Sequence, residues 1–179
     1  MKKALLIASV LFIAVITTAC INNIAVQELN NKAAEYMTKG DYESAVNRLQ
    51  ASIDLDSSMY ETYYNLGIAA TSAKKYDIAT EAFQNGIKIK PNHVDFYYSL
   101  AIAQSEYADD ILNKETDEEL TEEEKNKTIE LKSQATVNAM KYLELNPEAK
   151  DKEVVEHFIE ELENIDTNKE EEQPKVLEG

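Results

Sequence analysis

Cysteine, glycine, proline and basic residues are all scarce in this chain of 179 residues, and each scarcity excludes something. A single cysteine, Cys20, allows no intramolecular disulfide and no multi-cysteine metal cluster. Four glycines and three prolines are too few for a sandwich of many short strands and favour long helices, so the expected class is all-α. Lysine and arginine number 18 against 34 aspartates and glutamates, a formal net charge of −16. A surface this acidic repels phosphates, and no basic stripe offsets the repulsion, which argues against nucleic acid as a partner. The charge serves solubility or the attraction of a basic partner.

Chemistry-bearing motifs are lacking as well. There is no glycine-rich phosphate loop, no HExxH, no GxSxG and no cysteine paired with a histidine. No catalytic residue, cofactor or metal is expected. His93 and His157 read as structural or surface residues, since nothing places either beside a nucleophile. The acidic stretch with Asp109, Asp110, Glu115, Asp117, Glu118, Glu119 and Glu122 to Glu124 lacks the alternating oxygen ligands and central glycine of a calcium loop. It reads as a solvated helical protrusion.

The composition is that of an ordinary globular chain, with 44% hydrophobic and 29% charged residues, enough for one compact domain or a short array of stacked units. Met1-Lys2-Lys3 is a short positive region, Ala4 to Ala19 is an apolar run of 16 residues, and Cys20 follows small residues. That layout is a secretory signal, and the run is shorter than the ~20 residues of a permanent membrane helix. At Thr17-Thr18-Ala19-Cys20 the segment resembles the lipobox of bacterial lipoproteins, with Thr17 where leucine is usual. The resemblance implies that residues 1–19 are cleaved and that Cys20 becomes the lipidated first residue, carrying diacylglycerol and palmitate. An uncleaved signal anchor with an incidental cysteine is the alternative; either places the rest of the chain in the cell envelope, on the non-cytoplasmic side of a membrane.

A period of 34 residues runs from Val26 to His93. In its clearest copy, residues 60–93, Tyr63, Leu66, Gly67, Ala79, Phe83 and Pro91 fall at the spacings of the tetratricopeptide pattern, which the segment resembles closely. Ala70 stands where an aromatic is usual. The preceding copy, residues 26–59, has Leu29, Ala33, Tyr36, Ala45 and Leu49 at matching places, with Lys32 for leucine and Ser57 for proline. Lys39-Gly40-Asp41-Tyr42 aligns with Ala73-Lys74-Lys75-Tyr76 without a gap. A third copy, residues 94–147, begins with Tyr97, Leu100 and Ala101 and resumes with Ala135, Ala139, Tyr142, Leu145 and Pro147, after an acidic insertion of 22 residues between its helices. Thr121 and Glu124 form a capping-box pattern that would start the second extended helix.

Small residues such as Gly67 and Ala79 belong where paired helices approach most closely. Each hairpin must also stack on a neighbour to bury its apolar faces. Residues 148–165 are expected to cover the last hairpin through Val154, Val155, Phe158, Ile159 and Leu162 at helical spacing, and residues 166–179 to form a disordered acidic tail. The expected fold is thus a short α-solenoid of three tetratricopeptide-like hairpins with a capping helix.

The resemblance implies a groove lined by the first helix of each hairpin. Its positions place Asn30, Tyr64, Asn65, Ile68, Tyr98 and Ile102 in a partner-binding strip with an acidic edge. The basic clamp of chaperone-binding members is absent: Asn30 and Asp95 stand for lysines, Ala34 for an asparagine and Ser99 for an arginine. The strip suits an apolar or amphipathic segment with some positive charge. Tyr64 and Tyr98 could instead pack between repeats. The functional expectation is a non-catalytic, membrane-tethered adaptor or scaffold that helps assemble or maintain an envelope complex. The alternative is a regulator or subunit of an envelope enzyme such as a cell-wall hydrolase.

Overall fold

The structure is a computed structural model, and it describes residues 23–114 and 119–167. The leader, Cys20, the acidic residues Glu115, Asp117 and Glu118, and the tail from residue 168 lie outside the described residues. Seven helices and no strand occur among those described: α1 (23–38), α2 (Tyr42–Leu55), α3 (Tyr60–Ser72), α4 (Tyr76–Ile89), α5 (Val94–Leu112), α6 (Glu122–Leu145) and α7 (Lys152–Thr167). Each packs chiefly on its sequence neighbours, giving three hairpins, α1–α2, α3–α4 and α5–α6, with α7 against α6.

The first two hairpins turn in the same way, as their aligned sequences require. Gly40 and Lys74 occupy equivalent positions and both adopt the left-handed conformation, with φ of 74° and 57°. In each turn two amides reach back to the preceding helix: Gly40 and Asp41 donate to the carbonyls of Met37 and Tyr36, and Lys74 and Lys75 donate to those of Thr71 and Ala70. Glycine holds this backbone without strain; for Lys74 it costs about 1–2 kcal/mol. Asp41 then caps α2 by accepting from the amide of Ser44.

Side-chain size alternates across the hairpin so that the helices can close. A Cβ on Gly67 would lie 2.3 Å from the Phe83 ring, and one on Gly86 2.1 Å from the Phe96 ring. Both rings are fully buried, each contributing about 1.5–3 kcal/mol of apolar burial. Tyr60, Tyr64 and His93 gather around Phe96 at centroid distances of 6.4, 5.4 and 5.3 Å, so His93 is part of the joint between the second and third hairpins. Ala33, Ala45, Leu49, Leu66, Ala69, Ala70 and Ala79 complete this core.

Both ends of the array are polar on the outside. Leu66 and Leu100 are buried, whereas Lys32, at the equivalent place in the first hairpin, is exposed and pairs with Glu28 at 2.8 Å. No hairpin precedes it among the described residues, so a leucine there would face water. At the other end α7 buries Val155, Ile159 and Leu162 with Ala135, Ala139 and Tyr142 and turns Glu153, Glu156, Glu160 and Glu163 outward. This helix runs on to Thr167, two residues into the expected tail, because neither glycine nor proline interrupts it.

The third hairpin is longer than the others because the insertion is built into its helices. α5 has 19 residues and α6 has 24, against 13 for α3 and 14 for α4. The capping box at the start of α6 is present: Thr121 accepts from the amide of Glu124, and the Glu124 carboxylate accepts from that of Thr121. Polar bonds align the two long helices. Gln104, 1% exposed, donates to Gln134 at 2.8 Å and accepts from Asn138 at 2.9 Å, and the largely buried Lys132 pairs with Asp109 at 2.5 Å. A shift of α6 along α5 would leave these groups unpaired, so they fix the register.

Candidate functional site

The six groove residues inferred from the sequence fall into different surroundings. Asn30 is spent inside the first hairpin, where its amide donates to the Val26 carbonyl at 2.9 Å and to Ser52 Oγ at 2.8 Å. Asn65 is exposed. Tyr64 is half-buried, its ring edge-on to Phe83 and Phe96 and stacked on His93, and its hydroxyl lies 3.4 Å from Ser99 Oγ. Ile68 packs against the same core. Tyr64 is therefore chiefly a joint between hairpins.

Tyr98 and Ile102 are brought together. They lie one turn apart on α5 and form one wall of a cleft of about 460 Å³, with Val154, His157 and Phe158 of α7 as the other. Tyr98 stacks on Tyr142 with centroids 5.2 Å apart and meets Phe158 edge-on at 6.3 Å, which braces the two walls against each other. Burial, with a smaller contribution from Asp151, raises the Tyr98 phenol above its ordinary value, so it stays a neutral donor at physiological pH. Glu153 and Glu161 stand on the α7 side, and among the described residues no lysine or arginine lines the cleft. A smaller recess of about 340 Å³ shares Phe158 and Glu161 and extends toward Ser105, Asp109 and Lys132.

Sequence reasoning assigned α7 to capping and missed its second use as a cleft wall. One signal was present: Val154 adjoins Val155 but cannot share its inward face, and it is 62% exposed. Of the expected groove residues, Tyr98 and Ile102 line this cleft, and Tyr64 and Ile68 pack against the core of the first two hairpins. Among the described residues no group of three or more metal-ligating side chains occurs, and no helix is long and apolar enough to cross a membrane.

Comparison with known proteins agrees with this architecture. Residues 33–70 match the family described as TPR repeat, and residues 60–93 the tetratricopeptide repeat. Small glutamine-rich tetratricopeptide repeat-containing protein 2 of Mycosarcoma maydis is 27% identical over 77 residues, 43% of this chain and 22% of that protein. The chain thus spans about a fifth of the length of this curated relative. The second TPR domain of human RPAP3, solved with an HSP70 peptide, superposes with a TM-score of 0.60 at 14% identity, over 78% of this chain and 98% of that one. The Yersinia enterocolitica secretion chaperone SycD, solved with a peptide of the translocator YopD, gives 0.56 at 17% identity, over 81% and 94%. This chain therefore contains tetratricopeptide repeats, folded as a three-hairpin α-solenoid closed by a seventh helix.

Proposed function

We propose that this protein is a membrane-tethered, non-catalytic adaptor that holds a segment of another protein in the cleft between α5 and α7, in service of a cell-envelope complex. The observation that carries the reading is that cleft: apolar walls from Tyr98, Ile102, Val154 and Phe158, flanked by Glu153 and Glu161 and, among the described residues, without lysine or arginine. It suits an apolar or amphipathic segment with some positive charge, the carboxylates steering and the aromatic walls anchoring. Solved relatives of the same fold hold peptides, as the RPAP3 domain and SycD do. The acidic HSP70 peptide of the RPAP3 complex is a poor guide to the ligand here, because Asn30, Asp95 and Ser99 stand where the basic clamp would be. The tether rests on the sequence around Cys20, and lipid chains gain about 0.8 kcal/mol per buried CH₂.

Photo-crosslinking in cells tests the reading. A crosslinking residue at Val154 should capture a discrete partner, one at the exposed Arg48 on α2 should not, and Val154→Glu should abolish binding without lowering the melting temperature. Equal capture from both positions, or full binding by Val154→Glu, would place the partner elsewhere.

A further inference from the structure

The longest helices of the molecule enclose a second cleft that the groove reading does not use. It lies between the start of α4, the last turns of α5 and the first turns of α6, with a volume of about 1070 Å³. That exceeds the roughly 300–1,000 Å³ of most small-molecule sites, room enough for a chain segment. Tyr107 and Ile111 form its floor. The Tyr107 ring is held from beneath by Tyr76, which is 6% exposed and stacks on it at 5.2 Å with 15° between planes.

Among the described residues, five carboxylates line the cleft against two ammonium groups. Lys114 is taken by Glu124, and Lys74, outside the cleft, pairs with Asp110 at 2.8 Å. Asp77, Glu123 and Glu130 make no ion pair among the described residues; the Glu130 carboxylate accepts only from Gln134. The other ammonium, Lys127, stands 6.0 Å above the Tyr107 ring. At that distance attraction to the ring is weak, so a closer cation would gain more from the same face. The floor is thus aromatic and apolar, and the rim is negative.

The geometry points to this cleft as a second docking surface, which binds a lysine- or arginine-bearing amphipathic segment of another protein, with a cationic side chain over Tyr107. Charge decides among occupants. A second copy of this chain, itself at −16, and an anionic lipid surface are both repelled, whereas a guanidinium finds a ring to stack on and carboxylates to pair with. Two clefts, one against α7 and one against α4 and α6, would let one tethered chain hold two partners.

The probe is a short amphipathic peptide of leucine and lysine, with its leucine–glutamate counterpart as control, titrated into the full ¹⁵N-labelled chain in neutral detergent. The lysine peptide should shift the amides of Tyr107, Ile111 and Lys127, and the glutamate peptide should not. Reversing Asp77→Lys with Glu130→Lys should weaken that response roughly tenfold or more while leaving shifts at Tyr98 and Phe158, and the circular dichroism, unchanged. Glu123→Lys serves the same purpose should the paired reversal unfold. Shifts confined to the α5–α7 cleft, equal binding of the glutamate peptide, or affinity unchanged by the reversals would overturn the inference while leaving the proposed function standing.

Discussion

Replacing Gly67 by alanine sets two effects of opposite sign against each other. Gly67 lies inside α3, where alanine is favoured over glycine by about 1 kcal/mol, so helix propensity alone predicts a more stable protein. Packing predicts the reverse. The new Cβ would lie 2.3, 2.5 and 2.6 Å from three atoms of the Phe83 ring, all well inside the ~3.5 Å of ordinary contact. The ring has nowhere to retreat, since it is fully buried with Tyr64 and Phe96 at centroid distances of 6.1 and 6.3 Å. Overpacking of a rigid core costs about 1–3 kcal/mol, and a clash with three ring atoms belongs at or above the upper end. The net expectation is a loss of about 2 kcal/mol, or roughly 4–8 °C in melting temperature for a chain of this size. Urea and thermal unfolding followed by circular dichroism measure it. Phe83→Leu should be costly alone but less so in the Gly67→Ala background, because the smaller side chain admits the methyl; a double-mutant cycle reads that coupling. If Gly67→Ala melts at or above the wild type, the close approach of α3 and α4 described above is wrong.

Thr62 Oγ1 is buried with no hydrogen-bond partner among the described residues, so Thr62→Val should raise stability by about 1 kcal/mol; a loss in urea unfolding would mean that the hydroxyl is satisfied. Lys114 foremost, with the Thr121 amide and hydroxyl, lowers the Glu124 carboxyl to about 2 from 4.5. A depressed carboxyl stabilises the fold above its unfolded value, so this contribution is complete above pH 4.5 and disappears as the pH falls toward about 2. A carboxyl NMR titration should place its midpoint near the lower figure and move it up in Lys114→Ala; a midpoint near 4.5 in the wild type would show that the pair does not form in solution. Cys20→Ser should prevent lipidation and leave the precursor uncut or the protein released, and unchanged membrane retention with unchanged gel mobility would refute the anchor.

Much of this molecule was legible before any coordinates, and the reason is periodicity. A repeat of 34 residues with small side chains at fixed places dictates helical hairpins that stack, since no single hairpin can bury both its apolar faces. The turns at Gly40 and Lys74 follow from local alignment, and the capping box from two residues in one turn. Lys32 could likewise be read as a departure from the pattern, and its exposure in the first hairpin supplies the cause.

What periodicity leaves undetermined is which side chains meet across long separations. Sequence marked Tyr98 as a groove residue, but only the packing of α7 made Phe158 and Val154 its opposite wall. The repeat pattern marks Gly67, whereas Gly86 is required only by the Phe96 ring of the next hairpin pressed against it. The bonds of Gln104 with Gln134 and Asn138, and of Lys132 with Asp109, span an insertion whose helices the sequence could propose but not align. A one-dimensional pattern fixes the face on which a residue lies; the partner on that face is set by the rotation and register of another helix, which only the packed structure decides.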